Sequence, residues 1–172
     1  MATFVDLLAE KGFEKITINE IAERANINRG TVYLHYADKF DVLDKCIETY
    51  VALLLDHCAN RVDTNLDASA FQRMFEYVEK NFSIYALLLR NEGLGFFRKR
   101  LYATIAQTAT EVIGVKSENN EFSNGVTIHF LTAGLIGVLE WWINHAMPCD
   151  VQEITEQLMA LLEPYTKHPV AL

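Results

Sequence analysis

The chain has 172 residues, of which 51% are hydrophobic and 22% charged, and its formal net charge is −8. That length suits one or two small domains with ample core, and the acidic balance argues against indiscriminate nucleic-acid binding. No window holds about eighteen uninterrupted apolar residues and nothing resembles a signal peptide, so a soluble cytoplasmic protein with no membrane partner is expected. Cys46, Cys58 and Cys149 form no CxxC or Cys/His pattern, so they read as reduced thiols, with no metal or other cofactor implied.

The spacing predicts a first helix over 2–11, presenting Phe4, Val5, Leu7 and Leu8 and stopped by Gly12. Phe13 and Ile16 should pack back onto the two short helices that follow. Thr17 with Glu20 three residues on makes a capping box, the hydroxyl accepting a free backbone N–H while the carboxylate reaches back. Ile18, Ile21, Ala22 and Ala25 repeat at helical spacing, and Asn26 ends this helix because asparagine tolerates the left-handed conformation. Ile27 is expected to plug the turn, and Asn28 to cap a second helix over 29–36. There Val32 and Tyr36, with part of Leu34, are the expected inward anchors. Arg29, Gly30, Thr31, Tyr33 and His35 are left facing outward.

Two short helices with such an outward set read either as a helix-turn-helix, whose second helix meets base edges and phosphates, or as a solvated helical hairpin in an all-α bundle. Glycine at position 30 removes a Cβ and lets the helix approach a sugar-phosphate backbone closely. Residues 1–50 nevertheless hold six basic and nine acidic side chains, so Lys11, Lys15, Arg29, Lys39 and Lys45 would have to cluster on one face. DNA affinity should be modest per module, salt-sensitive and dependent on two modules acting together.

The segment IAERANINRGTVYLHYADKFDVL resembles the N-terminal domain of the TetR family of bacterial transcriptional regulators. The matching residues are Thr17, Ile21-Ala22, Ile27, Gly30-Thr31, Tyr33, Tyr36, Lys39 and Leu43. The resemblance implies that Thr17, Asn28, Arg29, Gly30, Thr31, Tyr33, His35 and Lys39 face DNA. In that scheme Arg29 and Thr31 reach bases, while Thr17, Tyr33, His35 and Lys39 contact phosphates. Two departures stand out: Asn26 replaces the usual glycine, and Met1 leads almost directly into Phe4, leaving a short first helix without a basic arm.

Asp38 can cap the next helix, with Asp41 in its first turn, and helical periodicity runs from Phe40 through Leu54 to about Val62. The polar stretch 63–69 reads as a turn, after which four or five more helices are expected. One starts at Asp67 or Ser69 and carries Phe71, Met74, Phe75 and Val78; another starts at Ser83. The break 91–95 precedes a helix with Phe96, Phe97, Leu101, Ile105 and Val112, and the polar segment 116–124 leads to the longest apolar helix, 125–146. Pro148 stops it, Asp150 and Glu153 start the last helix, and Val151, Ile154, Leu158, Leu161, Leu162 and Tyr165 form its stripe. No strand pattern or repeat occurs.

The predicted fold is therefore all-α and TetR-like, a three-helix DNA-binding domain over 1–45 and a helical ligand-binding and dimerisation domain over 46–172. Ala133, Gly134 and Gly137 put small residues on one side of the longest helix, which suggests close approach to another helix. A homodimer with a four-helix interface, using Trp141, Ile154, Leu158 and Leu161 as well, would cover a helix that is apolar nearly all round. The family usually holds a small-molecule inducer in this domain. The candidate lining residues are Phe75, Phe82, Tyr85, Leu89, Phe96, Tyr102, Ile105 and Phe130, with Glu140 as a polar group. Glu140 would be costly to bury unpaired, so a basic side chain, an interface donor or a cationic ligand should meet it. Arg98, Lys99 and Arg100 read as a solvated run. No HExxH, GxSxG or phosphate-cradling loop occurs, so no enzyme is expected.

The function that follows is a homodimeric repressor of an operator with two-fold character, modulated by a small-molecule ligand. The alternative is a TetR-like dimer without operator binding that acts through a protein partner.

Overall fold

Local signals set the first half of the chain. In the computed structural model, which describes residues 1–58, 68–90, 95–114 and 121–167, helix α1 (Ala2–Lys11) ends at Gly12. Gly12 has φ 73° and ψ 160°, a conformation open essentially to glycine alone, and its N–H returns to the Leu8 carbonyl. A 3₁₀ turn (Phe13–Lys15) leads to α2 (Ile18–Arg24), where the capping box forms as expected: the Glu20 N–H donates to Thr17 Oγ1 at 3.3 Å, and the Thr17 N–H to Glu20 Oε2 at 3.0 Å. Asn26 is left-handed at φ 52°. Asn28 caps α3 (Arg29–His35) by accepting from the Gly30 N–H at 2.7 Å, and Asp38 caps α4 (Lys39–Cys58) by accepting from the Phe40 and Asp41 N–H groups at 2.8 and 3.0 Å.

Lys11 hydrogen-bonds the Glu20 carboxylate, and this contact first, then Thr17, holds that carboxyl below its ordinary pKa. A depressed acid adds stability above its unfolded pKa that is lost as pH falls through the folded value, so the box is intact at neutral pH. Thr17→Ala is expected to cost about 1 kcal/mol of unfolding free energy, read from urea denaturation, and Thr17→Ser to restore it.

Phe4, Leu7, Leu8, Phe13, Ile16, Ile21, Ala22 and Val32 close the head around Val42, Leu43 and Ile47 of α4. The expected boundary at residue 45 falls inside α4, which at about 1.5 Å per residue runs some 30 Å without a break. Its predicted continuation to Val62 and the turn 63–69 lie largely outside the described residues, as do most of the breaks 91–95 and 116–124 and the side chains of Val112 and Tyr165.

The body comprises α5 (Ala68–Lys80), α6 (Phe82–Arg90), α7 (Gly95–Gly114), α8 (Glu121–Asn144) and α9 (Val151–Lys167), with no strand among the described residues. Ser83 lies inside α6, and the break before it is at Asn81, whose carbonyl accepts from Ile84 and Tyr85. Two buried aromatics organise the body. Tyr85 meets Tyr50, Tyr77 and Phe97 edge-on and donates its hydroxyl to the Tyr50 carbonyl at 3.0 Å, tying α6 to α4. Trp142 packs edge-on to Phe75 with centroids 5.2 Å apart, and its indole N–H donates to the Cys149 carbonyl at 2.9 Å. That bond holds the turn after α8, where Ala146 and Met147 both adopt left-handed φ, 55° and 57°, ahead of Pro148. Asp150 then caps α9 through the Glu153 N–H at 2.8 Å.

Helix α7 is ion-paired on both sides, Arg98 to Glu140 of α8 at 3.0 Å and Arg100 to Glu48 of α4 at 3.2 Å. Arg98, Lys99 and Arg100 are all exposed, as a solvated run should be, two of them in surface ion pairs, and a basic side chain meets Glu140. Burial pushes the Cys46 thiol up to about 12, which suits an inert structural cysteine.

Candidate nucleic-acid interface

Helix α3 stands on one apolar anchor. Val32 is buried, Tyr36 is half-buried, and Arg29, Gly30, Thr31, Tyr33 and His35 are exposed, as are Thr17 and Asn28. These sequence-predicted residues thus lie together on the outer side of the helix-turn-helix. Arg29 folds back along the helix: its Nη2 donates to the Tyr33 hydroxyl at 3.1 Å, and its guanidinium carbon lies 5.2 Å from the Tyr33 ring centroid. The two side chains form a prearranged unit on the exposed face, a cation held over an aromatic ring. Gly30 has a second reason to lack a side chain, because a Cβ there would come within 3.2 Å of Asn28 Oδ1 and press on the cap.

Lys39 is half-buried. Its ammonium donates to the Glu14 carbonyl at 3.0 Å and sits 4.8 Å from the Phe13 ring centroid, which places it beside the turn that carries Lys15. Lys11 and Lys45 do not join such a cluster: Lys11 is paired with Glu20, Lys45 with Glu48, and Arg24 with Glu10. Among the described residues, Lys15, Arg29 and Lys39 are the cations of the head outside an ion pair.

Two expectations are corrected at this surface. Ile27 does not plug the turn but is exposed, and Leu34 is 81% exposed instead of partly inward. Sequence reasoning assigned Leu34 no functional role. Its place two residues from Val32, on the far side of a helical wheel, was the available signal.

In the body, the described residues of the predicted ligand-lining set differ in exposure. Phe75 and Tyr85 are filled core, Phe82, Leu89, Tyr102 and Ile105 are half-buried, and Phe96 and Phe130 are 56% and 62% exposed. Tyr102 and the exposed His129 stack and share a 2.7 Å hydrogen bond between α7 and α8.

Helix α8 has two apolar faces. Ile128, Ile136, Leu139, Trp142 and Ile143 are buried, and the opposite stripe of Val126, Phe130, Ala133, Gly134, Gly137 and Trp141 is exposed. By length and composition 125–144 would suffice to cross a membrane, but a third of it is buried in this helical body. Among the described residues no heavy atom lies within 4 Å of a Cβ built at Gly134 or Gly137, so no described helix approaches these glycines closely. Beside the stripe, an open groove of about 370 Å³ runs between α8 and α9, floored by Ile154 and Leu158 and walled by Val138, Trp141 and Leu161. Ile154 and Leu158, expected at an interface, are buried against their own chain, while Leu161 is 66% exposed.

A capped two-helix head with one outward helix, carried on a long helix into an apolar helical body, defines a helix-turn-helix DNA-binding regulator. Residues 2–46 match the family model for bacterial regulatory proteins of the tetR family, and residues 68–164 match that for a transcriptional regulator C-terminal region. The chain belongs to the TetR family, whose members are transcriptional regulators and not enzymes. It is 21% identical over 162 residues to the HTH-type transcriptional regulator YxbF of Bacillus subtilis, covering 91% of this chain but 42% of YxbF. The fold is shared with the fatty acid degradation regulator FadR of Bacillus halodurans, at a TM-score of 0.64, 17% identity and 97% and 94% coverage of the two chains. FadR of B. subtilis in complex with stearoyl-CoA superposes with a TM-score of 0.59, 15% identity and 94% coverage of each.

Proposed function

We propose that this DNA-binding regulator works in the cytoplasm as a homodimeric repressor whose operator affinity is changed by a small molecule bound in the body. The observation that carries the dimer is the exposed small-residue face of α8, Ala133, Gly134, Gly137 and Trp141, continued by Leu161 on α9, which no described helix packs over. Two copies packed about a two-fold axis on this face bury both stripes, and the glycines admit the partner backbone. One exposed α3 per chain then becomes two, meeting half-sites about 34–36 Å apart. Pairing also supplies what the head lacks, because Arg29, Lys15 and Lys39 alone bind phosphate weakly and two linked modules gain through effective concentration. The ligand acts only by binding the two separations of α3 unequally. Since a FadR relative is complexed with stearoyl-CoA, long-chain acyl-CoA is the first ligand class to test.

The test is fluorescence anisotropy on DNA flanking the gene and on duplexes selected from a random library. With three cations per module outside ion pairs, a dimer is expected to show a log–log salt slope of about −5, at two chains per duplex. Palmitoyl- or stearoyl-CoA should release the DNA. If no library sequence is enriched, the operator reading fails and the acidic head is better explained as a docking surface for a protein partner. If one is enriched and acyl-CoA changes nothing, only the ligand class falls.

A further inference from the structure

Leu34 occupies the middle of the outward face of α3. Val32 is the buried residue of this helix, and at 100° per residue Gly30 and Leu34 each lie two steps, about 160°, from it. They straddle the meridian opposite Val32, about 40° and one turn apart. Helical side chains lean toward the N-terminus and cover the preceding turn, so the leucine lies over the bare backbone at Gly30. Thr31 flanks this line on one side, and the Arg29–Tyr33 pair on the other. The side of α3 turned away from its buried anchor thus carries an 81% exposed leucine, bounded by polar groups.

An isolated exposed leucine is ordinary on a protein surface. This one lies at the centre of the helix that enters the major groove. It cannot bond phosphate or a base-edge donor or acceptor. The apolar group that base pairs offer in that groove is the C5-methyl of thymine. We propose that Leu34 reads sequence by packing on thymine methyl groups, one contact in each half-site. The assignment rests on α3 being the DNA-contacting helix. It also suits a head with few unpaired cations, in which discrimination among sequences has to come from the groove floor.

The probe is the selected operator with each thymine replaced in turn by deoxyuridine, which removes the methyl and leaves every hydrogen-bonding group. Binding of the full-length wild-type protein is compared with Leu34→Ala, a change at an exposed site that leaves the fold intact, as circular dichroism should verify. At one thymine position, uracil is expected to weaken wild-type binding about four-fold in one half-site and about fifteen-fold in both, the worth of burying one methyl each. Leu34→Ala should bind the unmodified operator more weakly by a similar factor and be indifferent to uracil there. The assignment is overturned if no thymine-to-uracil change affects the wild type, or if Leu34→Ala stays equally sensitive. A wild-type protein that enriches no sequence at all refutes the DNA-contact reading itself, a result distinguishable from either.

Discussion

A protein carrying Gly137→Glu or Leu161→Glu is expected to be a folded monomer with operator affinity reduced about a hundred-fold or more, the scale at which linked modules act. Both positions are open to solvent in the protomer, so neither substitution disturbs the core that Trp142, Phe75 and Tyr85 build. Glutamate is also the better helix former, by up to about 1 kcal/mol over glycine, so α8 should not be weakened at 137. The damage is confined to association. A two-fold interface repeats every residue, so one substitution places two carboxylates in the apolar contact, each desolvated and repelled by the other. Sedimentation velocity at micromolar concentration reads the oligomeric state, and thermal denaturation of the same sample reads the fold. Gly137→Ala provides the graded case, since one methyl at a close helix crossing should weaken the dimer without abolishing it. A Gly137→Glu protein that stays dimeric would place the interface elsewhere.

The parts of this molecule that are legible in its sequence are those set within a few residues. Thr17 with Glu20, Asn26, Asn28 and Asp38 each bond backbone three residues away or fewer, or need only a single left-handed dihedral, so the helix limits of the head follow from local chemistry. The contacts that decide electrostatics are of another kind. Lys11 finds Glu20 nine residues on, Arg24 finds Glu10 fourteen back, and Arg100 finds Glu48 across fifty-two. Those pairings depend on how helices cross, which periodicity does not encode, and they remove Lys11 and Arg24 from the cations free to meet DNA. Leu34 and Ile154 show the same limit for apolar residues. Hydrophobicity predicts that each is covered, but not by what. Ile154 is covered by its own chain, whereas Leu34, on a helix with a single buried anchor, is left for a ligand outside the chain.

Removing the Arg29–Tyr33 unit is expected to have the other large effect, on DNA affinity alone. The pair is exposed, so Arg29→Ala/Tyr33→Ala should leave unfolding by urea unchanged within about 0.5 kcal/mol. A specific arginine contact is worth about 1–3 kcal/mol, and a dimer makes it twice, so operator affinity should fall by between about thirty-fold and about twenty-five-thousand-fold. The log–log salt slope should shrink by no more than about two, since each module loses one cation from the DNA surface. The single variants separate two roles for the tyrosine. Tyr33→Phe keeps the ring under the guanidinium and removes only the hydroxyl that accepts from Arg29 at 3.1 Å. If the hydroxyl acts by positioning Arg29, its loss costs affinity in wild type and almost nothing once Arg29 is alanine, a strong coupling in the double-mutant cycle. If it bonds phosphate independently, the two costs add. Either pattern is compatible with an operator-binding α3; retention of full affinity by the double alanine variant is not, and would move the DNA contact off this helix.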